Sequence, residues 1–336
     1  MELQAVKALS IKTGKIALLI ALLFFASLLS LGTGEINISF NELLHFINNE
    51  GSVYYEVLHN IRIPRTLLAI ATGGALGLSG TILQGVYRNP LVEPYTLGIS
   101  GGASLGITIV IVTGINATGI VSLPLAGFSG ALVTIFLVYF LSYRREGINI
   151  TKMLLTGVMI SFISASAVMF LMSITAVENI HGIVFWTMGS LNESDPFMVY
   201  GMLTISILGL LLSYLFVSPL NALRLGESAA RSLGVNTKLT ICILFLITSL
   251  LTGSAIAVSG VIGFVGLVIP HISRLIAGTN YRTLLIISFL SGSVFMLLCD
   301  MLARTLVFPN ELPIGVITGI FGGITFIALI WIKKST

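Results

Sequence analysis

Thr66-Leu-Leu-Ala-Ile-Ala-Thr-Gly-Gly-Ala-Leu-Gly-Leu-Ser-Gly-Thr-Ile-Leu-Gln-Gly-Val-Tyr87 carries no charge along its whole length and is closed by Arg65 on one side and Arg88 on the other. A helix needs about 20 apolar residues to cross a bilayer, and this run supplies them. Its small residues, Gly73, Gly77 and Gly80 among them, suit helices that pack closely in lipid. The same composition continues in both directions: Ile16 to Gly34, Met153 to Val177, Pro196 to Leu223 and Leu312 to Trp331 are also uncharged and of spanning length. Across the chain 56% of residues are apolar and 9% charged, against roughly 25% charged in a soluble domain. The sequence therefore predicts an all-α, polytopic membrane protein.

Two longer runs divide at turn signals, around Thr113-Gly-Ile-Asn-Ala-Thr-Gly119 and Ser259-Gly260. Ten spans result, at about residues 16–33, 65–85, 95–113, 121–142, 153–175, 196–217, 239–258, 261–276, 283–303 and 313–332. They form a single transmembrane domain over residues 1–336. Lys7, Lys12 and Lys15 precede the first run as in a signal peptide, but Phe25-Ala26-Ser27-Leu28 is a poor cleavage site and the run reads as the first span. Cys242 and Cys299 lie inside separate spans and read as packing residues.

With the N-terminus in the cytoplasm, 14 of the 17 basic residues fall on inner segments: Lys7, Lys12, Lys15, Arg88, Arg144, Arg145, Lys152, Arg224, Arg231, Lys238, Arg274, Arg282, Lys333 and Lys334. Glu35, Glu42, Glu50, Glu56, Glu178, Glu193, Asp195 and Glu311 fall outside. This asymmetry predicts an inner (plasma) membrane protein with both termini cytoplasmic. Arg62, Arg65 and Arg304 break the pattern at the outer face. Pro64 suits a helix start, where cations oppose the dipole, so helix stability does not account for Arg62 and Arg65. An acidic external partner accounts for them, and so does snorkelling or pairing with Glu56 and Glu311.

Residues 218–236 cannot insert, because Arg224, Glu227 and Arg231 interrupt them. Glu227 and Arg231 sit in the first and last turns of a short helix that Gly234 stops, and Gly226 separates it from an earlier turn around Leu220 to Arg224. So short a helix needs a surface to pack on, either a cytoplasmic partner or the membrane interface.

Asp300 and His271 are strongly polar groups inside predicted spans, which makes a proton relay conceivable. The ninth span runs outward, however, putting Asp300 near the outer face and His271 near the inner one. Asp300 and Arg304, one turn apart, are expected to pair. His271 follows Pro270, which frees backbone groups for it to cap. Gly73-Gly74-Ala-Leu-Gly77 and Gly98-Ile-Ser-Gly-Gly-Ala103 read as helix-packing glycines, and no phosphate-binding GxxxxGK[ST] loop is present. His45, His59, His181 and His271 are scattered, so no metal site and no catalytic constellation is expected.

Several blocks resemble the permeases of ATP-binding-cassette importers for iron-siderophore complexes, haem and cobalamin. They are Arg62-Ile-Pro-Arg65-Thr-Leu, Ser79-Gly80, Gln84, Arg88-Asn-Pro-Leu91, Glu93-Pro94, Leu97-Gly-Ile-Ser-Gly-Gly-Ala103, Gly226-Glu227, Ser232-Leu-Gly-Val235, Gly263-Phe-Val-Gly-Leu-Val-Ile-Pro-His-Ile-Ser-Arg274, Asp300, Ala303-Arg304 and Glu311-Leu-Pro-Ile-Gly-Val316. They occur in family order over about residues 60–332. Ile262 and Ile324-Thr325 depart from it where proline is common. The resemblance implies a cobalamin-permease-like, ten-helix subunit paired with a second, identical permease. Two ATPase subunits, which hold the ATP and magnesium, lie below it and an extracytoplasmic substrate-binding protein above. It implies docking by Arg62, Arg65 and Arg304, and coupling to the ATPase by Leu220, Arg224, Gly226, Glu227, Ala230, Arg231, Leu233 and Gly234. It also implies a cytoplasmic gate at Asn89, Leu91 and Thr151, and a pathway lined by Met159, Ser166, Met169 and Met172. The chain itself is expected to be no enzyme, to bind no cofactor and to meet no nucleic acid. The expected cargo is an iron(III)-siderophore, with cobalamin, haem or molybdate as alternatives. An ion-coupled secondary transporter using Asp300 and His271 is the reading from another class; it leaves the 218–236 segment unexplained.

Overall fold

The computed structural model describes residues 2–34, 38, 52–115, 122–144, 147–148, 150–193, 195–307 and 310–334. Its helices are α1 (Glu2–Gly32), α2 (Val53–Val57), α3 (Ile63–Val86), α4 (Ile99–Thr113), α5 (Ser122–Ser142), α6 (Ile150–Ile174), α7 (Val177–Met188), α8 (Pro196–Tyr214), α9 (Val217–Leu223), α10 (Glu227–Ser232), α11 (Thr237–Ser259), α12 (Val265–Ala277), α13 (Tyr281–Thr305) and α14 (Ile314–Lys334). A two-residue antiparallel ladder pairs Tyr143–Arg144 with Gly147–Ile148. In hydrocarbon every backbone N–H and C=O needs a partner within the chain, and a helix satisfies them locally. Among the described residues seven helices are long and apolar enough to cross a membrane, and the apolar α4, α12 and α14 fall where the other three spans are expected.

Three local departures have identifiable causes. The third span starts at Ile99, not near 95, because Gly98 at φ 83° separates a 3₁₀ turn, Pro94–Leu97, from α4. The eighth starts at Val265, because Gly260 (φ 69°) and Phe264 (φ 69°) hold the connection in left-handed conformations. Pro64 is not the start of its helical stretch. α2 and a π turn, Leu58–Arg62, run directly into α3, and the wider turn immediately precedes the residue that lacks an N–H. The sequence reading also missed α7, a 12-residue helix too short and too polar, with Glu178, Asn179 and His181, to register as a span.

Helix α3 lies at the centre, buried from Leu68 through Val86, against α13, α11, α8 and α12. A Cβ at Gly73 would collide with the Gly292 carbonyl, one at Gly80 with the Gly266 carbonyl, and one at Gly77 would lie 2.7 Å from the Ser288 oxygen. The glycines thus set the α3–α13 and α3–α12 distances, as their composition suggested. Gly80→Ala is expected to destabilise the purified protein by ~1–3 kcal/mol. Gly201→Ala, with no atom within 4 Å of the added carbon, is expected to leave its thermal midpoint unchanged. Equal midpoints would show that the α3–α12 contact yields without cost. A second cluster of α4, α5 and α6 packs Leu97, Ile99, Ala103, Ala131 and Met153 together. Cys242 and Cys299 are both free thiols.

Side-chain ties fix which ends are level. Lys15 Nζ donates to the Ile276 carbonyl at 2.6 Å, joining the start of the apolar part of α1 to the end of α12. At the other end of the bundle, Arg62 donates to the Leu31 carbonyl (2.6 Å) and Arg304 to that of Thr33 (3.0 Å), joining the end of α1 to the start of α3 and the end of α13. Arg88 and Arg224 share the first end, the basic end, with the α9–α10 segment.

Candidate functional site

At the end opposite the basic end, the three arginines singled out in the sequence come together, but as buried groups. Arg62, Arg65 and Arg304 are only 5%, 6% and 9% exposed. Arg65 Nε donates to Asp300 Oδ1 at 2.7 Å, and its Nη1 donates to Glu311 Oε2 at 2.8 Å and to Asn192 Oδ1. Arg304 Nη2 lies 3.0 Å from Asp300 Oδ2 and also donates to Ser30 Oγ at 3.0 Å. Asp300 is thus shared by two guanidinium groups and fully buried, while the Glu311 side chain keeps 43% of its surface in the open. The Asp300–Arg304 pair was expected one turn apart; Arg65 as second partner was not, since it comes from 235 residues away. Of the two acids considered as partners, Glu311 is used, whereas Glu56 accepts from Asn60. Beside this cluster a cavity of about 560 Å³ is lined by Arg65, Glu178, Phe185, Trp186 and Glu311.

Asp300 and His271 do not meet. His271 lies edge-on to Phe326, 5.9 Å between ring centres, beside the Arg274 cavity at the basic end. A proton relay between them has no geometry to run on. Among the described residues no three of His, Cys, Asp and Glu converge; His45 lies outside those residues.

Of the expected gate residues, Asn89 and Leu91 sit on a tight turn after α3 and Thr151 in the first turn of α6. Asn89 Oδ1 accepts from Leu91 N–H at 2.9 Å, and Arg88 takes a positive φ of 49° to make the turn. This leaves Leu91 59% exposed. Two buried groups that sequence reasoning passed over follow immediately. Glu93 Oε1 accepts from Phe264 N–H at 3.3 Å and Tyr95 Oη from Ile262 N–H at 3.0 Å, so this turn holds the strained 260–264 connection. Burial pushes the Glu93 carboxyl up, partly opposed by its hydrogen bond from Phe264. Both residues stand in or beside the Glu93-Pro94 block, the one signal that pointed to them.

On α6, Thr151, Met159, Ser166 and Met169 are exposed and Met172 is half-buried; they share a broad face left largely open among the described residues.

The 218–236 segment folds as two short helices broken at Gly226 (φ 115°). Arg231 pairs with Glu227 across one turn of α10. The helix closes with Val235 N–H on the Ala230 carbonyl (3.0 Å) and Gly234, at φ 81°, on that of Arg231 (2.9 Å), the ending its sequence predicts. The eight residues assigned to coupling divide here. Leu220 and Ala230 are fully buried and anchor the segment to the bundle. Arg224, Arg231, Leu233 and Gly234 are exposed. Leu225, 71% exposed in the break between the helices, was not singled out; with Leu233, 64% exposed just past α10, it leaves an apolar side chain open on either side of that helix.

The FecCD transport family matches residues 21–332, nearly the whole of this arrangement. The chain belongs to that family. This FecCD permease is 37% identical over 315 residues to the hemin transport system permease HmuU of Yersinia pestis, covering 93% of each chain. It is 39% identical over 291 residues to YvrB, an uncharacterized ABC transporter permease of Bacillus subtilis, covering 86% of this chain and 82% of the other. Its fold matches a solved structure described as an inward-facing metal-chelate type ABC transporter, with TM-score 0.84, 31% identity and coverage of 94% and 98%. The FecCD permease is accordingly a multi-pass membrane protein of the transporter class, and its all-helical, cobalamin-permease-like fold is the one expected from sequence.

Proposed function

We propose that this permease is the membrane-spanning half of an ATP-driven importer for a metal chelate, with an iron(III)-siderophore as cargo. The observation that carries the reading is the α9–α10 segment. It is a folded, polar, two-helix element at the basic end of an apolar bundle, with two exposed leucines and no chemistry of its own. A pair of ATPase subunits, holding ATP and magnesium, takes this segment, and their closure rocks two copies of the permease about the pathway between them. The charge asymmetry supports a cytoplasmic position for this end and for both termini, in the inner (plasma) membrane. The hemin permease and the metal-chelate transporter among its relatives support a bulky chelate; cobalamin and molybdate suit the same machinery. The α6 face, with Met159, Ser166, Met169 and Met172, lines the path, and Asn89, Leu91 and Thr151 close it at the cytoplasmic mouth.

An extracytoplasmic binding protein docks over Arg62, Arg65 and Arg304. Because these groups are already engaged, its acidic residues compete with Glu311, the half-open member of the cluster, for Arg65. Glu311→Gln removes the competitor and leaves Asp300 in place, so it is expected to tighten binding-protein association about fivefold, measured by surface plasmon resonance on the complex in nanodiscs. Unchanged affinity in this variant would mean that Arg65 is structural and takes no part in docking. The same preparation tests the assembly: ATP hydrolysis by the complex is expected to rise on adding binding protein, and a complex indifferent to it would contradict the importer reading.

A further inference from the structure

At the basic end a second set of arginines is held quite differently. A cavity of about 530 Å³ opens among the ends of α3, α12 and α13, and Arg88, Arg224, Arg274 and Tyr281 line it. Arg274 Nη1 donates to Gln84 Oε1 at 2.7 Å and the same guanidinium hydrogen-bonds Tyr281, while Arg224 Nη1 donates to the Thr279 carbonyl at 2.6 Å. All of these acceptors are uncharged groups. No carboxylate lines the cavity, and among the described residues none of the three arginines belongs to an ion pair. Arg224 and Arg274 are close enough to repel one another. At the other end of the same bundle, Arg65 and Arg304 each have a carboxylate within 3.0 Å. Three cations gathered around one hollow without counter-charge cost Coulomb energy that a bound anion would offset.

The form of the site narrows the anion. Guanidinium forks suit the oxygens of a phosphate, and the volume lies in the range of small-molecule sites, beyond the needs of a bare ion. Apart from Gln84, His271 and Thr279 the rest of the wall is apolar: Leu284 and Leu329 line it, and Leu275, 72% exposed, forms its rim. A basic pocket between helices at the positively charged face of a membrane protein is the setting in which lipid headgroups are held. We infer that this cavity binds a phosphate-bearing anion, the headgroup of an acidic phospholipid, with Arg88, Arg224 and Arg274 around the phosphate and the acyl chains leaving past Leu275 and Leu329. The site lies against the α9–α10 segment, since Arg224 joins the two helices, so its occupancy stiffens the connection between that segment and the bundle.

The full-length chain, purified in detergent, is titrated with phosphatidylglycerol or with phosphatidylcholine of the same acyl chains, and bound lipid is counted by native mass spectrometry. One phosphatidylglycerol per chain is expected to bind in preference to phosphatidylcholine. Arg88→Gln/Arg274→Gln is expected to weaken it about thirtyfold, while Lys238→Gln, an exposed cation off the cavity, leaves it unchanged. Arg274→Lys keeps the charge without the fork and is expected to give an intermediate loss, which carries the test if the double variant fails to fold. Equal binding of the two lipids, or wild-type binding by the arginine variants, overturns the proposal. Displacement of the lipid by millimolar inorganic phosphate overturns its lipid source, and assigns the site to a soluble phosphate. Arginine variants that keep lipid yet fail to co-purify with the ATPase subunits would make the cavity a protein contact and also overturn it.

Discussion

Asp300→Ala is expected to be the most damaging of these single substitutions, lowering stability by ~3–5 kcal/mol. The Asp300 carboxylate is fully buried and is shared by Arg65 at 2.7 Å and Arg304 at 3.0 Å. Removing it leaves two guanidinium groups, both under 10% exposed, with only Glu311 to balance them. An uncompensated buried charge costs far more than the pair ever contributed. For the same reason the loss is expected to be partly reversed when a charge is removed with it: Asp300→Leu/Arg304→Met should recover stability relative to Asp300→Leu alone. The check is chemical unfolding of each variant in detergent. A loss of under about 1 kcal/mol for Asp300→Ala would mean that water reaches the cluster and solvates the arginines.

Leu225→Asp/Leu233→Asp is expected to do the opposite, sparing the fold and abolishing transport. Both leucines are mostly exposed, at 71% and 64%, so changing them should alter stability by no more than about 0.5 kcal/mol. If they are buried by the ATPase, two carboxylates placed there desolvate on docking, and truncation of such central apolar anchors alone costs ~2 kcal/mol or more each. ATP-driven uptake is expected to fall at least tenfold, with the ATPase lost on gel filtration. Lys238→Gln, an exposed cation outside the residues assigned to coupling, should change either readout less than twofold. Full uptake by the double aspartate variant would remove α9–α10 from the coupling path.

Which of these features the sequence revealed follows from how local each one is. The spans were legible because lipid demands uncharged runs of fixed length, and the α10 ending because glycine at Gly234 and the charges at Glu227 and Arg231 act within a few residues. Asp300–Arg304 was legible as neighbours on one turn. Arg65–Asp300 was not, because no periodicity links positions 235 apart. Helix α7 was invisible to a search for apolar runs. Leu220 and Ala230 belong to a motif that names a segment but not its inward side, which only packing against the bundle decides. The left-handed Phe264 left no trace in the residue itself; its hydrogen-bond partner Glu93 did, in a block chosen for other reasons.

Uptake by proteoliposomes containing this permease, its ATPase and its binding protein tests the central claim most directly. With a radiolabelled iron(III)-siderophore outside and ATP inside, accumulation is expected to require both ATP and the binding protein and to be indifferent to a collapsed proton gradient. Accumulation that proceeds without ATP and stops when the proton gradient is dissipated would contradict the account.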